Sequence, residues 1–317
     1  MSGITHTMDT KFEGTVDQLI YKVLAVGNEW SEFTVPHLGL SKPKVLPYSK
    51  RSSEGYLQTN VANPRIGTND SGGVDFAHRL LEVGSFMVHF PIQPSDWQDE
   101  FPEFQPSGPQ VDLEMNPQIA EVIVATVLNG IEDEISDLDY QGDDTLSSPS
   151  LLRFYDGFEK LALADANVID VANIGVITKG NVLSILESVK KAIPFRLRKK
   201  GAKVKIFMNY QDYDLAQEAN KETNNDGTIL TVAEVPMLEK KYPLIPMTSV
   251  PKNHIMATIA STSGDSNLTK GYWFETDKEN FILAKESPGD EKWKFLLRAK
   301  MGVQYRYGGD IVLYIGS

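Results

Sequence analysis

The chain has 317 residues, 41% of them hydrophobic, with 31 Lys and Arg against 43 Asp and Glu, hence a formal net charge of −12. That length suits two ordinary domains or one elaborated one, and the acidic balance argues against general binding to nucleic-acid phosphates. The absence of cysteine excludes disulfides, zinc-thiolate centres and thiol nucleophiles.

The opening stretch MSGITHTMDTKFEG holds no apolar core of a secretory signal, and no run of about 18 apolar residues exists to span a membrane. Thr15-Val-Asp-Gln18 is a capping-box pattern, and Val16, Leu19, Ile20, Val23 and Leu24 follow at helical spacing up to Gly27. Residues 27–48, broken by Pro36, Pro43 and Pro47, read as extended. Residues 49–73 are poor in large apolar side chains, and a stretch of that kind is functional or projecting in a compact domain. Val74, Phe76, His78 and Leu80 then alternate, as do Phe86, Val88 and Phe90, so the excursion is expected to return as strand, like a long hairpin.

Residues 91–110 are rich in proline and aromatics and read as irregular. Asn116-Pro117 opens a helix whose apolar seam is Val124, Leu128, Ile131, Ile135 and Leu138. A short helix is expected over Leu151–Leu163 and another from about Thr178 to Ile193, stopped by Pro194. KVKIFM (Lys203–Met208) reads as a strand leading into a helix over Tyr210–Lys221, an α/β unit. His254–Ala260, Gly271–Phe274 and Phe281–Ala284 read as strands. Residues 293–307 place an apolar side chain at every odd position. Fifteen residues at about 3.3 Å each make a strand near 50 Å, which suits an elongated subunit better than a compact enzyme domain.

Charge is segregated along the chain. From Leu80 to Leu152 there is no Lys or Arg, whereas Ser188–Gln211 holds eight cations and no acid. Opposite blocks point to domains that face each other, or to copies that pair head to tail; two solvated faces are the plainer alternative. Seven acids crowd positions 132–144 at the end of the seam-bearing helix, where the helix dipole disfavours negative charge, so a basic surface outside the helix is expected to compensate them.

Tyr140-Gln-Gly-Asp-Asp144 has the look of a carboxylate pair that grips a divalent ion for phosphoryl transfer. Such a site needs further acids and cations, and no basic residue lies nearer in sequence than Arg153, so a helix-ending turn is the favoured reading. The five histidines show no metal-ligand spacing, and phosphate-loop, dinucleotide and nucleophile-elbow motifs are absent. RLRKKGAKVK holds cations but a single neighbouring aromatic, Phe195, which disfavours a single-strand stacking platform and favours a solvated or subunit-facing turn. Nothing assembles an active site or calls for a cofactor.

In their order and spacing the segments resemble the major capsid proteins of tailed bacteriophages, the Hong Kong 97-type shell fold, over most of the chain from about Lys11. The residues that carry the resemblance are Tyr140-Gln-Gly-Asp143 after the seam helix, Phe154-Tyr-Asp-Gly157 at the next helix start, KVKIFMNYQDYDLAQEAN, and the ending FLLRAKMGVQYRYGGDIVLY. Gln211 departs from the family pattern, which often has proline there. The resemblance implies an α+β fold with an N-terminal arm at 1–45 and an extended β-hairpin loop at 46–85. A peripheral domain with long antiparallel strands would take 86–165 and 270–305, with the spine helix at about 117–138, and an α/β axial domain 166–269 and 306–317.

It further implies a non-enzymatic subunit that assembles with itself, as hexamers and pentamers, into an icosahedral or prolate head. The shell would be built in the host cytoplasm, away from any membrane, and would enclose double-stranded DNA without sequence-specific binding. With only about a dozen residues ahead of the arm, scaffolding would come from a separate protein, or none; portal and decoration proteins are the other partners the family implies. Candidate subunit-contact residues are Lys50, Arg51, Arg65 and Arg79 in the extended loop; Glu132, Asp133, Asp137, Asp143 and Asp144 in the acidic block; and Arg196, Arg198, Lys199 and Lys200 in the basic one. Lys50 is also where some relatives carry a cross-linking lysine, though no motif identifies a partner. The rival readings are an encapsulin-like compartment shell, an acidic metal-dependent enzyme using Asp143 and Asp144, and a jelly-roll capsid protein, the last disfavoured by the patterned helices.

Overall fold

The computed structural model describes residues 28–40, 42–51, 73–93, 117–199, 203–223, 242–262, 264–273, 281–285 and 292–316. The helix expected over 15–27 and the irregular stretch 94–110 lie outside the described residues, as does most of the polar excursion.

Three sheets organise these residues. In the first, β1 (Val35–His37) runs parallel to β9 (Leu268–Trp273), and β9 pairs with the 13-residue β11 (Trp293–Tyr305). The same long strand pairs with β10 (Phe281–Lys285) on one side and with β4 (Gly84–Ile92) on the other. In the second sheet the order is β5 (Ile169–Asp170), β12 (Val312–Ile315), β8 (His254–Ile259), β6 (Val204–Asn209) and β7 (Leu244–Met247). The third is a two-stranded ribbon, β2 (Lys44–Arg51) against β3 (Val74–Leu81), registered Lys44 to Leu81 and Arg51 to Val74.

Helix α1 (Pro117–Gln141) buries Leu128, Ile131, Ile135 and Leu138, the seam expected from the spacing, in one large core with Phe295, Leu297, Ala299 and Met301 of β11. It stops at Gln141 because the chain must turn at Gly142, whose N–H still donates to the Leu138 carbonyl at 3.0 Å. The second sheet is covered on one face by α3 (Val182–Ala192) and α5 (Tyr210–Thr223). Val204, Ile206 and Met208 point to those helices with Ile255, Ala257 and Ile259, while Phe207 and Met256 join the large core. Burial on both faces is why these strands read as nearly unbroken apolar runs.

The structure moves several expected boundaries. The helix expected over Leu151–Leu163 is two pieces, a 3₁₀ turn at Leu151–Arg153 and α2 at Phe158–Leu163, interrupted where Gly157 meets Gly142. The helix expected from Thr178 begins at Val182, because the Asn181 side chain accepts the Thr178 N–H at 2.7 Å and caps the turn ahead of it. The long strand ends at Tyr305 rather than Tyr307, as the chain turns into the Gly308–Asp310 3₁₀ turn. Residues 28–34, expected to be extended, form a tight turn that buries Trp30.

Candidate functional site

The Gly-Asp-Asp turn is built by a backbone crossing. Gly157 N donates to Gly142 O at 2.8 Å. A Cβ on Gly142 would stand 2.3 Å from the Tyr155 carbonyl oxygen, and one on Gly157 would stand 2.5 Å from the Tyr140 carbonyl oxygen. Two chains can pass this closely only where neither carries a side chain. Asp143 and Asp144 therefore face the start of α2, and Lys160 of that helix reaches Asp143 at 2.6 Å, Asp144 at 2.8 Å and Asp156 at 2.7 Å. Oxygens of the three carboxylates lie within 4.8 Å of one another, as a metal site would require, but the Lys160 ammonium already stands among them.

Hydrogen bonds from Lys160 and Thr145 hold the Asp143 carboxyl down at about 2. Desolvation works against the Lys160 ammonium, but its bonds to Asp143, Asp144 and Asp156 together raise it. A carboxyl whose folded pKa is depressed stabilises the fold above its ordinary value of 3.8 and loses that contribution as pH falls towards 2. A carbon-detected NMR titration should thus place the Asp143 midpoint near 2, and Lys160→Met should return it towards the ordinary carboxylate range. A midpoint near 4 in the parent protein would show that the contact does not form in solution.

The acids one turn and more earlier in α1 are different. Among the described residues no cation pairs with Glu132, Asp133 or Asp137. Burial and the neighbouring Asp133 raise the Glu132 carboxyl, and burial, Glu29 and Asp133 raise Asp137. Glu29 is itself spent on the 247–250 turn, accepting from the N–H and hydroxyl groups of both Thr248 and Ser249 at 2.6–3.1 Å. The result is an anionic surface with no compensation from the described residues of its own chain.

The expected basic block is partly engaged at home. Arg196 pairs with Asp310 at 2.5 Å and donates to the Gly309 carbonyl at 2.7 Å. Arg198 donates to the carbonyls of Ile193 and Lys191, closing the end of α3. Lys199 is exposed, beside Phe195, which is 75% exposed on α4 (Phe195–Arg198). Arg79 of the ribbon pairs with Asp165. Lys50 and Arg51 stand at the far described end of the ribbon with their side chains outside the described set, and Arg65 and Lys200 lie outside it altogether.

One face of the ribbon is apolar and uncovered: Val45 is 52% exposed, Val74 50%, Phe76 84% and Leu80 46%. Cross-strand register puts Val45 beside Leu80 and Ser49 beside Phe76, so these side chains share one surface. The other face turns Leu46 and Leu81 towards the body, where both are buried with Leu40.

Sequence reasoning missed Asp165 and Asp310 as partners, because each lies at no fixed spacing from its counterion; it also missed Lys160, for which the i,i+4 spacing from Asp156 was the one signal. It also missed the Lys270–Asp139 ion pair, in which both side chains are 0% exposed. The one signal available was an acid at position 139 beside the apolar seam of α1 and a lysine at 270 inside a buried strand.

No protein-family model matches the sequence, and no curated protein matches it. Solved capsid chains are similar to it in backbone from end to end. A chain of the satellite phage P4 procapsid has a TM-score of 0.58 at 12% identity, over 99% of this chain and 94% of that one. The capsid of the native GTA particle has 0.58 at 10% identity, over 100% and 94%. The capsid of the Myoviridae phage XM1 has 0.55 at 11% identity, over 90% of each. The capsid expectation drawn from segment order agrees with these likenesses: the chain has the α+β fold of phage and GTA capsid proteins.

Proposed function

We propose that the protein is the major capsid protein of a tailed bacteriophage, a structural subunit of the Hong Kong 97 type that assembles with itself into the head shell around double-stranded DNA. The observation that carries this reading is the end-to-end likeness to capsid chains, 94% of both the P4 and the GTA chain being covered. In this reading residues 1–45 are the arm and 46–85 the extended loop. Residues 86–165 and 270–305, with α1 as spine, form the peripheral domain, and 166–269 and 306–317 the axial one.

Two surfaces support a subunit whose structure is completed by its neighbours. A two-stranded ribbon has no core of its own, and its Val45, Phe76 and Leu80 face leaves apolar area that a second copy would bury. Glu132, Asp133 and Asp137, unpaired among the described residues, supply an anionic patch, and the exposed Lys199 a cationic point. Contacts of that kind steer and register copies more than they add affinity. The net charge of −12 disfavours adhesion of the shell to its DNA.

Electron microscopy of the purified full chain at high concentration, at low salt and at high salt, tests the reading. Closed particles of uniform size are expected. Protein that stays monomeric under both conditions overturns it. In the same assay Lys199→Glu should slow assembly at low salt and matter little at high salt, as expected of charges screened within about 10 Å at 0.1 M.

A further inference from the structure

The ribbon meets the body through a short run of side chains at the end of β11. Gln304 donates from its side-chain amide to the Leu80 carbonyl of β3 at 3.0 Å. The Tyr305 ring lies under Arg79, whose guanidinium carbon is 4.4 Å from the ring centroid. The Tyr307 ring lies 5.4 Å from that of Tyr48 in β2. Arg79 and Tyr48 lie on the inner face of the ribbon, and the Leu80 contact is to its backbone. The described pairs beyond them, Ser49–Phe76 to Arg51–Val74, include the most exposed apolar side chain of the ribbon.

Each of these side chains is in turn held from behind. The Tyr305 hydroxyl lies 2.8 Å from the Leu161 carbonyl and 3.1 Å from Asp165 Oδ2, two acceptors for its one proton, and that carboxylate oxygen also receives Arg79. Asp165 is oriented by the N–H and amide of Asn167 at 3.0 and 2.8 Å, just ahead of β5. Tyr307 carries Arg196 over its ring at 4.6 Å, and Arg196 is tied to Asp310 just ahead of β12. The supports therefore lead to the first two strands of the second sheet, not to the first sheet from which β11 comes.

We infer that Gln304, Tyr305 and Tyr307 form a seat that sets the angle of the ribbon on the body, with Arg79 as its principal tie, and that the second sheet governs this angle through Asp165 and Arg196. The apolar root of Leu40, Leu46 and Leu81 is separate from the seat, so it holds the ribbon attached when the seat is broken and serves as the pivot. The guanidinium suits the task because it satisfies a carboxylate with its edge and a ring with its face at once, which an ammonium cannot do. Whether or not the subunit builds a shell, this arrangement concerns the isolated chain.

The absence of cysteine makes the test direct. Phe76→Cys on the ribbon and Leu151→Cys on the body, both at exposed positions, accept nitroxide labels, and the distance between them is read by pulsed electron paramagnetic resonance in dilute, unassembled protein. The parent pair should give one narrow distribution. Arg79→Ala should broaden it and shift its mean, Arg79→Lys should give an intermediate width, and Asp165→Asn, a change outside the ribbon, should act in the same direction by weakening the tie to Arg79. Unchanged distributions in Arg79→Ala overturn the inference, as does a variant that melts earlier while its distance stays narrow, since that is a merely structural contact. Should Arg79→Ala not fold, Tyr48→Ala and Gln304→Ala each remove one seat contact, and a narrow parental distribution in both is equally fatal to it.

Discussion

Lys270→Met is expected to lower the unfolding free energy by about 3–5 kcal/mol, because it leaves the Asp139 carboxylate buried with no cation. Both side chains are 0% exposed, so water does not screen the loss. Burial pushes the Asp139 carboxyl up and the Lys270 ammonium down, each against the attraction of the other. The carboxylate also accepts the Tyr155 hydroxyl at 2.6 Å and faces the Asn28 amide at 3.4 Å, so it fixes α1, the chain after it, the turn at residue 28 and β9 to one another. Measured against a typical total of about 5–15 kcal/mol, the single change removes a large part of the stability. Urea unfolding of Lys270→Met, Asp139→Leu and the double variant checks it: the double should recover much of the single loss, though not the part due to the stranded Tyr155 hydroxyl. If the double falls by the sum of the singles, the pair is not coupled and the account fails.

Trp30→Ala should cost a comparable amount, about 3–5 kcal/mol, as expected when a fully buried indole leaves a void that the surroundings cannot close. Its ring stacks on Tyr140 of α1 at 5.6 Å and meets Phe158 of α2 at 5.4 Å and Phe207 of β6 at 4.9 Å. Its N–H donates to Ser249 Oγ at 3.0 Å, and Glu29 beside it caps the same turn. Two helices and a strand of the second sheet thus rest on one side chain, and none of them can close the void alone. Trp30→Phe keeps a ring and should cost clearly less. A loss under about 1 kcal/mol for Trp30→Ala, at an unchanged denaturant slope, would mean that the site repacks and that the turn is not a bridge.

Local periodicity was enough to expose most of the elements. The seam of α1, the alternation in β4, the length of β11 and the unbroken apolar runs of β6 and β8 follow from which faces are buried, and burial leaves a period in the chain; the alternation in β3 marked a strand too, although its apolar face is uncovered. Breaks that depend on a distant contact left no such trace. Gly157 looks like an ordinary helix start, and only its contact with Gly142 shows why a helix over Leu151–Leu163 cannot run through. Trp30 fell in a proline-broken stretch that reads as extended, because a single anchoring side chain has no period.

The charges divide in the same way. Composition and block structure determined by themselves that this is an acidic chain without thiol chemistry, carrying an anionic helix end and a cationic segment, with segment order that resembles a shell subunit. They could not assign partners. Asp143 and Asp144 are met by Lys160, Arg79 by Asp165, Arg196 by Asp310, and Asp139 by Lys270, at separations from 16 to 131 residues. An ion pair needs two charged atoms within about 4 Å, and which groups come that close is decided by how strands cross and helices dock, not by spacing along the chain. The tertiary structure therefore converted an apparent metal turn into a lysine-bound backbone crossing. It left Glu132, Asp133 and Asp137 without a cation among the described residues, because folding brings no described cation within reach of them.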